Sequence, residues 1–279
     1  MRIDFHTHIF PKQIWENREK YFSGEAEFET LYRRPKSKLA GAKELLASMD
    51  DGRIDRSVVF GFPWKTPDNV KLHNDYILEA VERYPGRLIG FCCLDLFSDS
   101  AVSEAERCLE KGLVGIGELA CYLSGIDAQF VKRLDPIMNI CREKNLPVLI
   151  HTNEPLGHIY PGKAPMTLDQ IYSLVKIFPE NKIVLAHWGG GLFLYNLLKK
   201  EVKENLANVY FDTAASPFLY EPAIYKIAVD IVGSKKILWG SDYPLLQPGR
   251  YFADMQKGGL KNADIDNICG NNAAEILKL

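Results

Sequence analysis

The sequence predicts an α/β fold, a closed (β/α)8 TIM barrel running over residues 1–279 as a single domain. Three observations lead there. The 279 residues lie in the range of one α/β barrel, which commonly takes about 250. Eight short apolar stretches recur, most of them about 30 residues apart and followed by a helical pattern, the spacing of one βα unit. Histidine or a carboxylate stands where five of those stretches stop.

The first strand is Arg2-Ile3-Asp4-Phe5-His6-Thr7-His8, whose alternation sends both imidazoles to one side at its carboxyl end. Asp4 shares that parity and is expected to play a deeper structural role. Residues 9–38 are rich in aromatics and charge, with Trp15, Tyr21, Phe22, Phe28, Tyr32, Arg33 and Arg34, and show little periodicity. A loop of that length in a compact domain is usually functional. It is expected to form a partly helical lid between the first strand and the first barrel helix, the alternative being an excursion packed outside the barrel. Leu39, Ala42, Leu45, Leu46 and Met49 then recur at helical spacing up to Asp51-Gly52. The second strand, residues 56–62, stops at Pro63, and a helix from Val70 to Tyr84 ends at Pro85-Gly86. His73 in that helix is expected at the surface or partly packed. Strands over 88–94 and 113–119 flank a helix over 101–111, and a helix over 128–144 follows. The second half repeats the unit, with strands over 146–151, 182–187, 209–212 and 236–242 and helices near 168–178, 192–205 and 223–232. Residues 264–279 form a closing helix. Seven of the eight strands are near-continuous apolar runs, as a helix-covered parallel sheet requires. No Gly-x-Gly-x-x-Gly opens a helix after the first strand, which disfavours an open doubly wound sheet.

Composition narrows the class. With 47% hydrophobic and 25% charged residues, the chain is an ordinary globular protein, and no window approaches the ~20 apolar residues of a membrane span. Thirty-four basic against thirty-six acidic residues, without a long run of one sign, argue against nucleic acid as a partner. The chain enters a strand at once, without a basic and apolar leader, so a cytoplasmic location is expected. The six cysteines form no Cys-x-x-Cys pair and read as reduced, buried thiols, Cys121 included.

Barrel active sites lie at the carboxyl ends of the strands, so His6, His8, Glu118, His151, His187 and Asp242 should ring one mouth. Histidines and carboxylates suit a borderline divalent ion, Zn²⁺ first, with Mn²⁺, Fe²⁺, Co²⁺ or Ni²⁺ also suited. Without a cysteine cluster, an open, water-bearing site is expected rather than a closed structural one. A metal-bound water has its pKa lowered toward ~7, and the ion can polarise a carbonyl.

Five motifs then resemble the amidohydrolase superfamily. They are Asp4-Phe5-His6-Thr7-His8, Gly115-Ile116-Gly117-Glu118-Leu119, Val148-Leu149-Ile150-His151-Thr152, Ala186-His187-Trp188-Gly189-Gly190-Gly191 and Leu238-Trp239-Gly240-Ser241-Asp242-Tyr243-Pro244. The likeness is to its amidohydrolase-related branch, which holds aminocarboxymuconate-semialdehyde decarboxylases, lactonases and hydratases of aromatic breakdown. The resemblance implies that His6, His8 and His151 are metal ligands and that Asp242 is both a ligand and the proton shuttle. It implies a catalytic His187, a ligand in two-metal members and a residue facing water or substrate in one-metal members. Glu118 stands where two-metal members bridge their ions, and a role as an acceptor orienting an imidazole weighs equally. One ion is expected rather than two, and the resemblance points toward a homodimer.

Candidate substrate contacts lie on the loops above the strand ends. Trp64 and Lys65 follow the second strand, His158 and Tyr160 the fifth, Phe218 and Tyr220 the seventh and Arg250 the eighth, while Arg33 and Arg34 lie in the lid. Aromatic walls with several cations suit a small, flat anion. The expected function is metal-dependent hydrolysis of a small ester, lactone or amide. The alternative is non-oxidative decarboxylation of an aromatic or unsaturated acid at the same site. A TatD-like nuclease or phosphoesterase, or a binding barrel without turnover, fits less well. Asp212, at the end of the seventh strand, is expected either to touch substrate or to close a turn.

Overall fold

The computed structural model describes residues 1–279. Its strands are β1 (Ile3–His8), β2 (Arg56–Phe60), β3 (Leu88–Gly90), β4 (Ile116–Leu119), β5 (Pro147–Ile150), β6 (Lys182–Leu185), β7 (Val209–Asp212) and β8 (Ile237–Leu238). Between β1 and β2 lie α1 (Lys12–Trp15), α2 (Ala26–Tyr32) and α3 (Ala42–Gly52). Then α4 (Pro67–Arg83) follows β2, α5 (Ala101–Glu110) follows β3, α6 (Ala128–Lys144) follows β4 and α7 (Leu168–Ile177) follows β5. Behind β6 comes α8 (Glu201–Asn205), behind β7 come α9 (Ser216–Leu219) and α10 (Ala223–Val232), and behind β8 come α11 (Gly249–Lys257), α12 (Asn262–Asp266) and α13 (Asn272–Leu277).

All strand pairs are parallel and neighbours in sequence are neighbours in space. The ladder β1-β2-β3 joins β4-β5-β6-β7-β8 through the Cys92–Ile116 bridge, and β8 returns to β1 through Thr7–Tyr243 and the bond from Phe5 N to Trp239 O, 2.8 Å. That closure makes the sheet a (β/α)8 barrel. Inside it, Phe5, Phe60, Phe91, Leu149, Val184 and Leu238 meet from strands on opposite sides, floored by Ala273 and Ile276 of α13. A larger core lies between the strands and the surrounding helices. Helix ends are set locally: the Asp127 carboxylate accepts the Phe130 N–H at the start of α6, and Thr167 and Gln170 form a capping box on α7.

The pairing of β1 with β2 slips between Asp4 and Thr7. The bulge changes the parity, so Phe5 fills the barrel while His6 and His8 face the mouth above it. Simple alternation groups Asp4 with the histidines; here its Oδ1 instead accepts the Ser241 N–H at 2.9 Å and the His6 N–H at 3.3 Å, the structural role expected of it. Residues 9–38 are seated on the barrel top. The Glu25 carboxylate accepts the N–H groups of Lys65 and Thr66 at 2.8 and 2.9 Å, and Phe28 packs on Trp64 with ring centroids 4.3 Å apart.

Three expectations need correction. No helix runs over 192–205; a 3-10 turn (His187–Leu197) precedes the short α8, because Trp188, Gly189, Gly190 and Gly191 are all left-handed, with φ between 60° and 98°. The last strand is ordered as a ladder only over Ile237–Leu238, although Trp239–Asp242 continue along β1. His73 is buried rather than superficial: Trp64 Nε1 donates to its Nδ1 at 2.8 Å and its Nε2 donates to Ile9 O at 2.7 Å. Gly61 makes room for it, since a Cβ there would lie 2.8 Å from the imidazole.

Candidate metal centre

β1 delivers His6 and His8, β4 delivers Glu118, and the segment after β8 delivers Asp242. Asp242 Oδ1 lies 3.6 Å from the Nε2 atoms of both His6 and His8. Glu118 Oε2 lies 3.7 and 3.6 Å from the same two atoms. The other carboxylate oxygen of Glu118 faces His151 Nδ1 at 2.9 Å and His187 Nε2 at 3.8 Å.

The far nitrogen of each ring fixes which atom faces inward. His8 Nδ1 and His187 Nδ1 donate to the carbonyls of Gly61 and Ala214, at 3.0 and 2.9 Å. A carbonyl only accepts, so Nε2 of each neutral ring carries the free lone pair. His6 Nδ1 is held by Asp212 Oδ2 at 2.8 Å, and the other Asp212 oxygen accepts the N–H groups of His187 and Ala214, both at 2.9 Å. Asp212 therefore neither touches the cavity nor merely closes a turn; it orients a ring and the next loop together. His151 is turned the other way, its Nε2 donating to Gly162 O at 2.9 Å and its Nδ1 facing Glu118.

Burial by itself would lower the His6 pKa, but Asp212 and Glu118 on either side outweigh it and raise it to about 10. Burial would also lower His151, and Glu118 outweighs it. Burial would raise Glu118, yet His6 and His151 hold it below the usual carboxylate range. His8 is lowered, by burial first and then by charge on His6. Burial raises Asp4 to about 7 in spite of its hydrogen bonds from Ser241 and His6.

The residues fit a divalent cation. His6 Nε2 is buried, has no hydrogen-bond partner, and points at two carboxylate oxygens and a second imidazole. His6, His8 and Glu118 form one group of close donors, and Glu118, His151 and His187 a second that shares the same carboxylate. Backbone geometry at the centre is unusual: Asp242 and His187 are left-handed non-glycine residues, φ 58° and 52°. The turn after His187 brings the chain so close to the fifth loop that a Cβ on Gly190 would lie 2.3 Å from Asn153 O.

Above the centre opens a cavity of about 680 Å³. His8, Glu118, His151, His187 and Asp242 form its floor, and Tyr32, Tyr122, Tyr160 and Phe218 its aromatic walls. Arg34, Lys36 and Lys38 stand along one rim. His158 lines the cavity. Trp64 and Arg250 do not. Trp64 is drawn into the core by its bond to His73, and Arg250 lies outside, donating to Pro217 O at 3.0 Å with its guanidinium 5.5 Å from the Phe218 ring. Lys65 is taken up by Glu27 and Asp95 at 3.2 and 3.1 Å, and Arg33 pairs with Glu29. Lys36, Lys38 and Tyr122 were missed by sequence reasoning. Lys36 and Lys38 follow Arg34 within one polar turn, a signal that could have grouped them; nothing local marks Tyr122. All six cysteines are buried free thiols, and burial pushes Cys121 up to about 12. No helix is long and apolar enough to cross a membrane.

The amidohydrolase sequence family matches residues 3–279. Among curated proteins the chain is similar to the 2-amino-3-carboxymuconate-6-semialdehyde decarboxylase of Dictyostelium discoideum, 26% identical over 346 residues that cover 100% of this chain and 92% of that protein. Among solved structures it is similar to a 5-carboxyvanillate decarboxylase of Novosphingobium aromaticivorans complexed with manganese and 4-hydroxy-3-methoxy-5-nitrobenzoic acid. The TM-score there is 0.77 at 18% identity, covering 100% of this chain and 96% of the other. A dihydroxybenzoic acid decarboxylase from a Polaromonas species, with bound manganese and the inhibitor 2-nitroresorcinol, gives a TM-score of 0.73 at 19% identity, covering 100% and 97%. At these identities the two structures speak for the shared barrel.

Proposed function

Because the chain belongs to the amidohydrolase family, we propose that it is a metal-dependent, non-oxidative decarboxylase of a small planar carboxylic acid, aromatic or unsaturated. The observation that carries this reading is the convergence of His6 Nε2, His8 Nε2, Glu118 Oε2 and Asp242 Oδ1 at the floor of an aromatic-walled cavity with a cationic rim. Full-length similarity to a named decarboxylase supports it. Hydrolysis of an ester, lactone or amide, the first expectation from the sequence, would use the same donors but has no counterpart among the relatives described above.

His6, His8, Glu118 and Asp242 would hold one divalent ion, and His151 would steady the other oxygen of Glu118 through its Nδ1. Bound there, the ion supplies Lewis acidity toward substrate oxygens. Two imidazoles with two carboxylates suit Mn²⁺ as well as Zn²⁺, and the manganese of the two fold relatives makes Mn²⁺ the first ion to test.

The chain's own residues do the rest. Arg34, Lys36 and Lys38 draw an anionic acid into the mouth, and Tyr122, stacked on Phe62 with ring planes 12° apart, gives its flat body a fixed wall. His187, its Nδ1 tied to Ala214 O, presents Nε2 to the substrate as an orienting group. Asp242 holds the proton that the substrate carbon takes. The bond from that carbon to its carboxylate breaks, the electron pair returns to the carbon framework, carbon dioxide leaves, and the carbon keeps the new hydrogen. The cavity's burial of the centre keeps water away from the carbon while it is electron-rich.

Manganese-loaded protein should release carbon dioxide from members of a panel of hydroxybenzoates and unsaturated diacids, and in D₂O the product should carry one deuterium at the vacated carbon. Hydrolysis of lactones or esters without carbon dioxide release from any acid would overturn the reading.

A further inference from the structure

Two phenol hydroxyls in the cavity wall are left unused by this chemistry. Tyr32, at the end of α2, and Tyr122, just after β4, both line the cavity beside His8, Glu118 and Asp242. Their rings are locked. Tyr32 packs against Phe28 and Phe10 with centroids 4.8 and 5.4 Å away, and Tyr122 lies between Phe62 and His151 at 5.9 and 4.8 Å. Tyr32 is also fixed through its backbone, whose carbonyl accepts from Arg18 Nη1 at 3.3 Å while the same guanidinium nitrogen holds Ser37 O at 2.7 Å. Two other phenols of the strand-end loops have partners: Tyr160 donates to Glu154 and Tyr251 to Ser241 O. The hydroxyls of Tyr32 and Tyr122 have none within the chain, and both open on the cavity.

A phenol is protonated below about pH 10, and offers one donor and an acceptor at a position its packed ring fixes. A phenylalanine would fill the same apolar wall without leaving a polar atom to satisfy in a closed site. We infer that Tyr32 and Tyr122 are specificity-determining residues that hydrogen-bond a second polar group of the substrate, a hydroxyl, amino or carbonyl substituent carried away from the carboxylate that is lost. The two tyrosines come from different loops, one on the α2 side and one after β4, so they grip a substituent from two directions and fix the rotation of a flat ring in the cavity. The substrate class narrows accordingly, from any planar acid to one bearing such a substituent. This rests on the decarboxylase reading, which supplies the carboxylate anchor at the metal centre.

Binding, not turnover, tests it. Manganese-loaded wild type, Tyr32→Phe and Tyr122→Phe are titrated calorimetrically with benzoate and with its mono- and dihydroxylated forms, and metal content is measured in the same samples. The expected result is that at least one hydroxybenzoate binds wild type ten-fold or more tightly than benzoate, and that this ratio falls to about three or less in one or both variants, as a site built to bond a hydroxyl discriminates by its polar partners. A ratio near one in wild type, or a ratio that survives both substitutions, would overturn the inference while leaving carboxylate binding intact. If no benzoate binds the manganese-loaded protein and no acid of the panel releases carbon dioxide, the decarboxylase reading falls and the inference with it; if only an unsaturated acid is decarboxylated, the same ratio is taken between that acid and its analogue lacking the polar substituent, and a ratio near one overturns the inference.

Discussion

Asp212 Oδ2 lies 2.8 Å from His6 Nδ1, so a carboxylate at the end of β7 holds the ring that β1 carries into the centre. Its other oxygen fixes the backbone at His187 and Ala214. Partners of this kind typically set metal affinity by about 10–100-fold. Asp212→Asn, which keeps the shape and weakens the bond, should lose manganese to a chromogenic chelator at a correspondingly lower chelator concentration. An unchanged affinity would show that Asp212 serves the fold alone.

Cation uptake should release acid. His6, raised to about 10 by Asp212 and Glu118 against the effect of burial, carries a proton at neutral pH when no ion competes for its Nε2. Calorimetric titration with manganese at pH 7, in buffers of different ionisation enthalpy, should give an apparent heat that changes with the buffer. A buffer-independent heat would mean that the ring is already neutral.

One ion per chain is expected from elemental analysis after dialysis. Glu118→Gln should lower that content, because Glu118 Oε2 stands as close to the two β1 histidines as Asp242 does. Arg250→Ala, outside the cavity, should retain wild-type content. Two ions in wild type, with one lost in Glu118→Gln, would replace the one-ion centre by a shared pair.

His73 makes stability depend on pH. Trp64 occupies its Nδ1 and burial lowers its pKa from 6.5 to about 4, so the folded protein holds it neutral. Its contribution is complete above pH ~6.5, where the unfolded chain is neutral too, and is lost as pH falls toward 4 because the unfolded state then binds the extra proton. The full loss amounts to about 3 kcal/mol. The melting temperature of wild type should fall more steeply between pH 6.5 and 4 than that of His73→Gln, though the variant starts lower.

Arg18 spans the loop that carries Tyr32, Arg34 and Lys36, bonding Tyr32 O at 3.3 Å and Ser37 O at 2.7 Å. Arg18→Ala should raise KM about ten-fold or more with a smaller change in kcat, since on the proposed reading the loop binds substrate and stands apart from the proton donor. Limited proteolysis should cut the variant faster between residues 32 and 38. Equal change in kcat and KM would place the effect at the centre instead.

The sequence made the barrel legible because most of its strands end on or beside a histidine or carboxylate, and barrel closure is what turns six marks scattered from His6 to Asp242 into one centre. Other features depended on contacts between distant segments. The bulge in β1 that separates Phe5 from His6 comes from pairing with β2, and no local pattern announces it. Asp212 reads as an ordinary strand end until β7 lies beside His6. Trp64 follows a strand as a substrate residue would, but the indole N–H finds His73 nine residues on and turns into the core. The run His187-Trp188-Gly189-Gly190-Gly191 precedes an apolar pattern of helical spacing, and only the left-handed backbone shows why no regular helix forms there.

The seam between β1 and β8 has a bearing on the order of events during synthesis. Asp4 receives the Ser241 N–H, Asp242 N–H bonds His6 O at 2.9 Å, and His8 N–H bonds Tyr243 O at 2.8 Å, so the same few bonds close the barrel and bring Asp242 to the two β1 histidines. The donors from the two ends of the seam are separated by more than two hundred residues of chain. A nascent polypeptide still attached to the ribosome before β8 emerges has its first two donors and lacks the last. On the proposed reading, the four-donor centre is therefore complete only in a chain whose β8 segment has been made and whose seam has closed.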